Sequence, residues 1–251
     1  MSAPIINKNC LNCDQPVSGY YCSNCGQKSS TSRLFYHQFL QDLQLGVFNI
    51  DRGMVRNLMT IFFPRQILDY VHGKRVQFFN PLLYLLIAAG IWMFVIPYLI
   101  KKIGLLEIST KEDSFFQGTY RTGYFIGRLI KSFGQYFAAS GIVPLAFSSR
   151  IVFGEHQLNF WEHLYLHIFV VANILLSASF FSAVNIITGW SLPVLLWVTA
   201  YGVFAYYQIF SGKEKFGYVL MKVFAMISLS VFFFLAAALL VGYIGQFFIS
   251  I

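Results

Sequence analysis

Residues 81–100 read PLLYLLIAAGIWMFVIPYLI, twenty residues without a charge, closed by Lys101 and Lys102. A helix needs about 20 apolar residues to cross a hydrocarbon core of roughly 30 Å. This stretch therefore has the length and composition of a membrane span. Working outward, three further runs have the same character, at 164–187, 192–210 and 219–249, the last interrupted only by Lys222. A fifth, 136–153, is weaker because it holds Gly141, Pro144, Ser148, Ser149 and Arg150. It reads as a span, a re-entrant segment or an interfacial helix.

The composition agrees. The 251 residues are 57% hydrophobic and 11% charged, against about 25% charged for an ordinary soluble domain. So few polar side chains cannot cover a soluble monomer of this size. A soluble globular enzyme, a disordered chain and a disulfide-rich secreted domain are all disfavoured. The fold class expected is an α-helical integral membrane protein of about five transmembrane helices, occupying 81–251.

Loop charge sets the orientation, because Lys and Arg concentrate on the cytoplasmic side. With five spans and the N-terminus inside, the inner segments hold twelve Lys/Arg and the outer ones six, all between residues 101 and 131. If 136–153 does not cross, the counts become eight and ten. The first 33 residues contain no apolar signal-peptide core. The expectation is an inner (cytoplasmic) membrane protein with residues 1–80 in the cytoplasm. Those residues carry eight Lys/Arg against four Asp, half of the overall +8. A basic juxtamembrane segment suits anionic lipid headgroups, with Arg65, Lys74 and Arg75 as candidate contacts. Nucleic acid is disfavoured, since there is no Lys/Arg run and no basic stripe on one helix.

Residues 1–28 form a different unit. Cys10, Cys13, Cys22 and Cys25 give C-x2-C-x8-C-x2-C. Two residues between cysteines let both thiolates reach one ion from a tight turn, and two such turns supply the tetrahedral sulfur set that zinc favours. Pro16 and Gly19 point to a short hairpin between the knuckles, and Gly26 supplies a residue tolerant of positive φ. About twenty residues cannot bury enough apolar surface to fold alone, so metal binding would supply the folding free energy. Iron could take the same four sulfurs, and a pair of disulfides would need an oxidising compartment. A closed four-thiolate site leaves no position for a catalytic water. Its use is structural, or as a docking surface for a protein partner.

Residues 29–80 link ribbon to bundle. After a polar hinge at 29–32, Phe35, Phe39 and Leu43 recur at helical spacing, and Val55, Leu58, Met59 and Phe62 form a second apolar face. Pro64 is placed to open another short helix continued by Ile67, Leu68 and Val71, which Gly73 ends. Such helices either lie in the headgroup layer, apolar face down, or pack against the cytoplasmic ends of the spans.

Several of these pieces, in this order, resemble a bacterial membrane family catalogued as domain of unknown function 3667. They are the ribbon with Cys25, Gly26, Gln27 and Lys28; Asp51, Arg52 and Gly53; Pro64; Tyr70 with Gly73, Lys74 and Arg75; Asn80 and Pro81; Pro144, Leu145 and Ala146; and Glu162, His163 and Leu164 leading to His167. The resemblance runs from the ribbon to about residue 170. It implies a zinc ribbon fused to a multi-span helical domain, and it implies no activity, substrate or catalytic residue.

Within the spans, Glu162, His163, His167, Asn173 and Asn185 form a candidate polar site, since intramembrane ionisable groups are costly and usually have a reason. His163 and His167 share one helix face. They could hold a metal or relay a proton. The plainer reading is interfacial histidines, a carboxylate bonded to Arg150 or headgroups, and asparagines that tie helices together. No Walker loop, G-x-G-x-x-G, G-x-S-x-G or internal transporter-like repeat occurs. The function expected is a non-catalytic scaffold, recruitment or regulatory membrane protein, with a homo-oligomer compatible with it. A small-solute transporter or channel using Glu162, His163 and His167, and an intramembrane metal enzyme, are the alternatives.

Overall fold

The computed structural model describes residues 9–31, 33–45, 53–95, 141–188, 194–212 and 214–249. The basic loop 101–135, the ends of the expected spans at 96–100 and 136–140, residues 192–193, and Asp51, Arg52 and Lys213 lie outside them. Among the described residues the protein is all-helical, with no strand beyond two isolated antiparallel bridges in the cysteine module. The elements are α1 (Tyr36–Leu45), α2 (Met54–Met59), a 3-10 turn (Pro64–Gln66) running into α3 (Ile67–Val71), and α4 (Pro81–Gly90), which continues as a π-helical turn (Ile91–Val95). Then come α5 (Gly141–Val152), α6 (Phe160–Thr188), α7 (Val194–Phe210) and α8 (Phe216–Ile249).

Among the described residues, two segments are long and apolar enough to cross a membrane, Phe160–Asn185 of α6 and Phe216–Ala236 of α8. They differ in surroundings. The α6 segment is 72% buried inside the protein, whereas the α8 segment is only 22% buried. Phe224, Val231, Phe232 and Leu235 stand more than half exposed along α8. A soluble monomer rarely shows an apolar patch of that extent, so α8 is the helix whose sequence and surroundings ask for lipid.

The central helix α6 carries the core. Tyr165, Leu166, Phe169 and Ala172 are fully buried on it, against Tyr84 and Ala88 of α4 and Ala205, Tyr206 and Phe210 of α7. Asn80 starts α4 by accepting hydrogen bonds from the Leu82 and Leu83 amides at 2.9 and 3.3 Å, with Pro81 in the first turn. The juxtamembrane helices resolve the two readings open to them differently. In α3, Ile67, Tyr70 and Val71 are buried, with the Tyr70 ring packed on Phe78, Tyr165 and Phe169. The apolar face at Val55, Leu58, Met59 and Phe62 is instead 41–72% exposed. Thus α3 packs on the bundle while the α2 face remains open.

Segment 53–60 is bolted to the entry of α4. Asn57 is fully buried, its Nδ2 donating to Phe79 O (3.2 Å) and its Oδ1 accepting from Phe79 N–H (3.1 Å). A Cβ on Gly53 would lie 2.3 Å from the Phe78 carbonyl carbon, so only glycine fits that approach. Burial also pushes the Asp42 carboxyl of α1 up, opposed by a hydrogen bond from the Tyr165 hydroxyl and by the Arg75 charge. An acid whose folded value lies above its unfolded one stabilises the fold while protonated, and that contribution is lost as pH rises through the folded value.

Asn57→Ala is expected to remove roughly 2–4 kcal/mol, because it leaves the Phe79 N–H and C=O unpaired in the interior. Chemical unfolding in detergent, followed by circular dichroism, measures it. Asp42→Asn should flatten the loss of stability seen as pH rises through the carboxylate range, read from the thermal midpoints of the two proteins.

Candidate functional site

The cysteine module is built from two nearly superimposable turns. In the first, Cys10 N–H donates to Gln15 O (2.8 Å), Asp14 N–H donates to Cys10 O (2.8 Å), and Asn9 bridges Pro16. In the second, Cys22 N–H donates to Gln27 O (2.8 Å), Gly26 N–H donates to Cys22 O (2.9 Å), and Tyr21 bridges Lys28. The residue after each second cysteine takes positive φ, +62° at Asp14 and +75° at Gly26. The sequence carries this as a short repeat, C-x-N-C-x-Q at 10–15 and again at 22–27.

The four sulfurs lie within 4.8 Å of one another, with Cys10 to Cys25 and Cys13 to Cys22 each at 3.5 Å. That is far beyond a disulfide bond. It is close to the edge of about 3.8 Å expected for a sulfur tetrahedron with 2.3 Å metal–sulfur bonds. The four cysteines can therefore hold a metal ion. The Gln15 amide, then the Asn24 side chain, lower the Cys13 thiol to about 6, while burial raises Cys25 to about 11. The four thiols are thus unequal, and a bound cation would draw all of them to thiolate.

The module is fixed to the bundle at two points. Gln27, two residues beyond Cys25, is 3% exposed. Its Nε2 donates to Gly73 O (2.9 Å) and its Oε1 accepts from Arg75 N–H (3.2 Å). Leu11 packs beside them. A Cβ at Gly73, where φ is +103°, would sit 2.9 Å from Leu11 Cδ1. At the second point Arg33 grips Glu162 bidentately, Nε to Oε1 at 2.9 Å and Nη2 to Oε2 at 2.6 Å, and also donates to Gln157 O at 2.7 Å. Asn159 Nδ2 donates to Leu34 O at 3.0 Å.

Glu162 thus has a specific task. It is the third residue of α6, where its N–H donates to Asn159 Oδ1 (3.0 Å) while its Oε2 accepts from Asn159 N–H (2.8 Å). This is a reciprocal capping box. Its cationic partner is Arg33, not the Arg150 expected from sequence.

The other polar candidates separate along α6. His163 Nδ1 lies 2.9 Å from Ser149 Oγ, which lies 2.7 Å from His167 Nε2, and His167 Nδ1 lies 2.9 Å from the Tyr206 hydroxyl. Both histidines are fully buried, and His163 Nε2 has no hydrogen-bond partner among the described residues. One serine hydroxyl bridges the two rings. Asn173 belongs to a different network, accepting from Tyr84 OH (2.8 Å) and donating to Thr60 Oγ1 (2.9 Å), which donates to Asn57 O (2.6 Å). Asn185 sits half-buried eighteen residues beyond His167, about 27 Å further along the helix. A cleft of about 410 Å³ lined by Gly141, Leu145, Gly202, Tyr206 and Phe234 meets the histidine chain only at Tyr206. Among the described residues, Glu162, the histidine pair and Asn173 belong to three separate hydrogen-bond networks.

Of the expected headgroup contacts, Lys74 pairs with Asp69 (3.0 Å), and Arg75 lies over the Tyr70 ring (5.7 Å) beside Gln27. Arg65 is exposed. Gln27, Arg33, Ser149 and Tyr206 were not singled out as site residues. For Gln27 the C-x-N-C-x-Q repeat was an available signal, and for Arg33 the polar stretch 29–32 before it gave none.

No family model, curated protein or solved structure matches this chain.

The purified full chain is expected to carry one metal ion, lost in Cys22→Ser, by elemental analysis. Gln27→Ala should keep the metal yet expose the 28–33 connection, seen as faster cleavage there in limited proteolysis.

Proposed function

We propose that this chain is a non-catalytic membrane protein of about five spans, N-terminus inside, in a bacterial inner membrane. In this reading one structural zinc folds residues 9–28 into a cytoplasmic ribbon, and the ribbon is the module through which the protein recruits or scaffolds a partner. The chain would then be a member of the family it resembles. The observation that carries the proposal is the pairing of a closed four-thiol set with rigid mounting through Gln27 and Arg33. Four protein thiolates leave no open coordination position for substrate or water. The mounting leaves Tyr20 and Tyr21 of the ribbon 70% and 64% exposed. Exposed paired tyrosines are the kind of residue that anchors protein interfaces.

The transporter alternative draws its support from the His163–Ser149–His167–Tyr206 chain. The separation of the remaining candidates into caps and helix-tying networks weighs against it. The serine hydroxyl between the two rings weighs against intramembrane metal catalysis.

The test is affinity capture of the full chain from its own membranes, beside Cys22→Ser and a Tyr20→Ser/Tyr21→Ser double variant. Loss of the same co-purifying proteins from both variants, at unchanged bundle level, is the outcome expected. Identical captures from all three would overturn the recruitment role.

A further inference from the structure

Two neighbouring clefts on the flank of α7 share Phe62 and grade from polar to apolar. The first, about 660 Å³, lies between the Pro64–Gln66 turn, α3 and the end of α7. Arg65, Gln66, His72 and Gln208 supply its polar lining. The second, about 330 Å³, runs along α7 and is lined by Ile61, Phe62, Trp197, Ala200, Tyr201 and Phe204. Gln208 and Trp197 are eleven residues apart on α7, about 16 Å, close to half of a 30 Å hydrocarbon core. The combined groove has the length of one leaflet, a polar head at one end and aromatic walls below.

The charge suits an anion. Arg65 is exposed, and its guanidinium forms no ion pair with a described carboxylate. Asp69, the one carboxylate in the lining, is already held by Lys74 at 3.0 Å and Arg56 at 3.5 Å. The Gln66 Oε1 is buried with no hydrogen-bond partner among the described residues, a position where a ligand hydroxyl would satisfy it. Phe62, which lines both clefts, and Phe63 of the polar one are 72% and 60% exposed.

We propose that this groove is a binding site for one anionic phospholipid of the bilayer, its phosphodiester on Arg65 and His72 and one acyl chain along Tyr201, Phe204 and Trp197. The proposal rests on the membrane reading above. It makes Arg65 a specific lipid ligand where sequence alone offered three equivalent surface cations, two of which are committed to intramolecular contacts.

The full chain is reconstituted in phosphatidylcholine vesicles doped with phosphatidylglycerol or phosphatidylcholine bearing brominated acyl chains, and tryptophan quenching is recorded. Brominated phosphatidylglycerol is expected to quench at low mole fraction where brominated phosphatidylcholine does not. Trp197→Phe should remove that selective component. Arg65→Glu should raise the fraction needed by about tenfold, and Arg65→Lys should restore most of the selectivity. Equal quenching by both lipids, or selectivity indifferent to Arg65→Glu, overturns the site while leaving the membrane reading intact. Competition by soluble glycerol phosphate would assign the site to a free anion and overturn the lipid. Absence of quenching by either lipid overturns this proposal and the membrane reading together.

Discussion

The first turn of α6 is where the protein's parts meet. Glu162 is a carboxylate with 3% of its side chain exposed, and an isolated charge at such a place is strongly disfavoured. It is tolerated because three separate devices converge on it. The helix N-terminus offers partial positive charge, the Asn159 amide donates to it, and Arg33 closes a bidentate pair. Each device requires a different part of the chain to be in place. The cap requires the turn before α6, and the ion pair requires the connection leaving the cysteine module. Since α4 and α7 both pack on the helix that begins here, the placement of Glu162 organises the bundle and the cysteine module at once.

Beyond that turn, polar side chains act as joints. Asn57 fastens the juxtamembrane segment to Phe79, and Thr60 and Tyr84 meet Asn173 of α6, while Tyr201 of α7 donates to Ile61 O at 3.0 Å. One short segment, 57–61, is thereby hydrogen-bonded to α4, α6 and α7. In a dry interior such bonds exclude alternatives more than they add net stability, because the competing arrangements leave polar groups unpaired. The Ser149 bridge between His163 and His167 fits the same pattern and draws α5, α6 and α7 together.

How much of this could be read from the sequence depended on the range of the interaction. The cysteine spacing, the Gly73 helix terminator and the Asn80–Pro81 start of α4 are local devices whose residues act within a turn of themselves, and each sits where the sequence placed it. Asn173 also met its expected use as a residue that ties helices together. The tertiary partners of Gln27, Arg33 and Asn57 are not legible in the sequence, for one physical reason. These partners lie 46, 129 and 22 residues away, and a polar side chain in a non-periodic stretch carries no mark of a distant partner. The fates of α2 and α3 diverged for a related reason. Both have apolar faces at helical spacing, but only α3 meets the aromatic wall of Tyr165 and Phe169, and periodicity does not say what stands opposite.

The mounting of the cysteine module constrains what such a module can do. A ribbon on the polar 29–32 linker alone would sample a wide volume and find partners by search. Gln27 and Leu11 against residues 73–75, with Arg33 on α6, hold it instead at one offset from the helix ends. Its four sulfurs and its attachment glutamine belong to one short unit with little apolar surface to bury, so a cation held by the four cysteines would stabilise the edge that Gln27 presents to Gly73 and Arg75. A bound metal would then act on more than the knuckles themselves, because it would hold the surface by which those residues seat on the bundle.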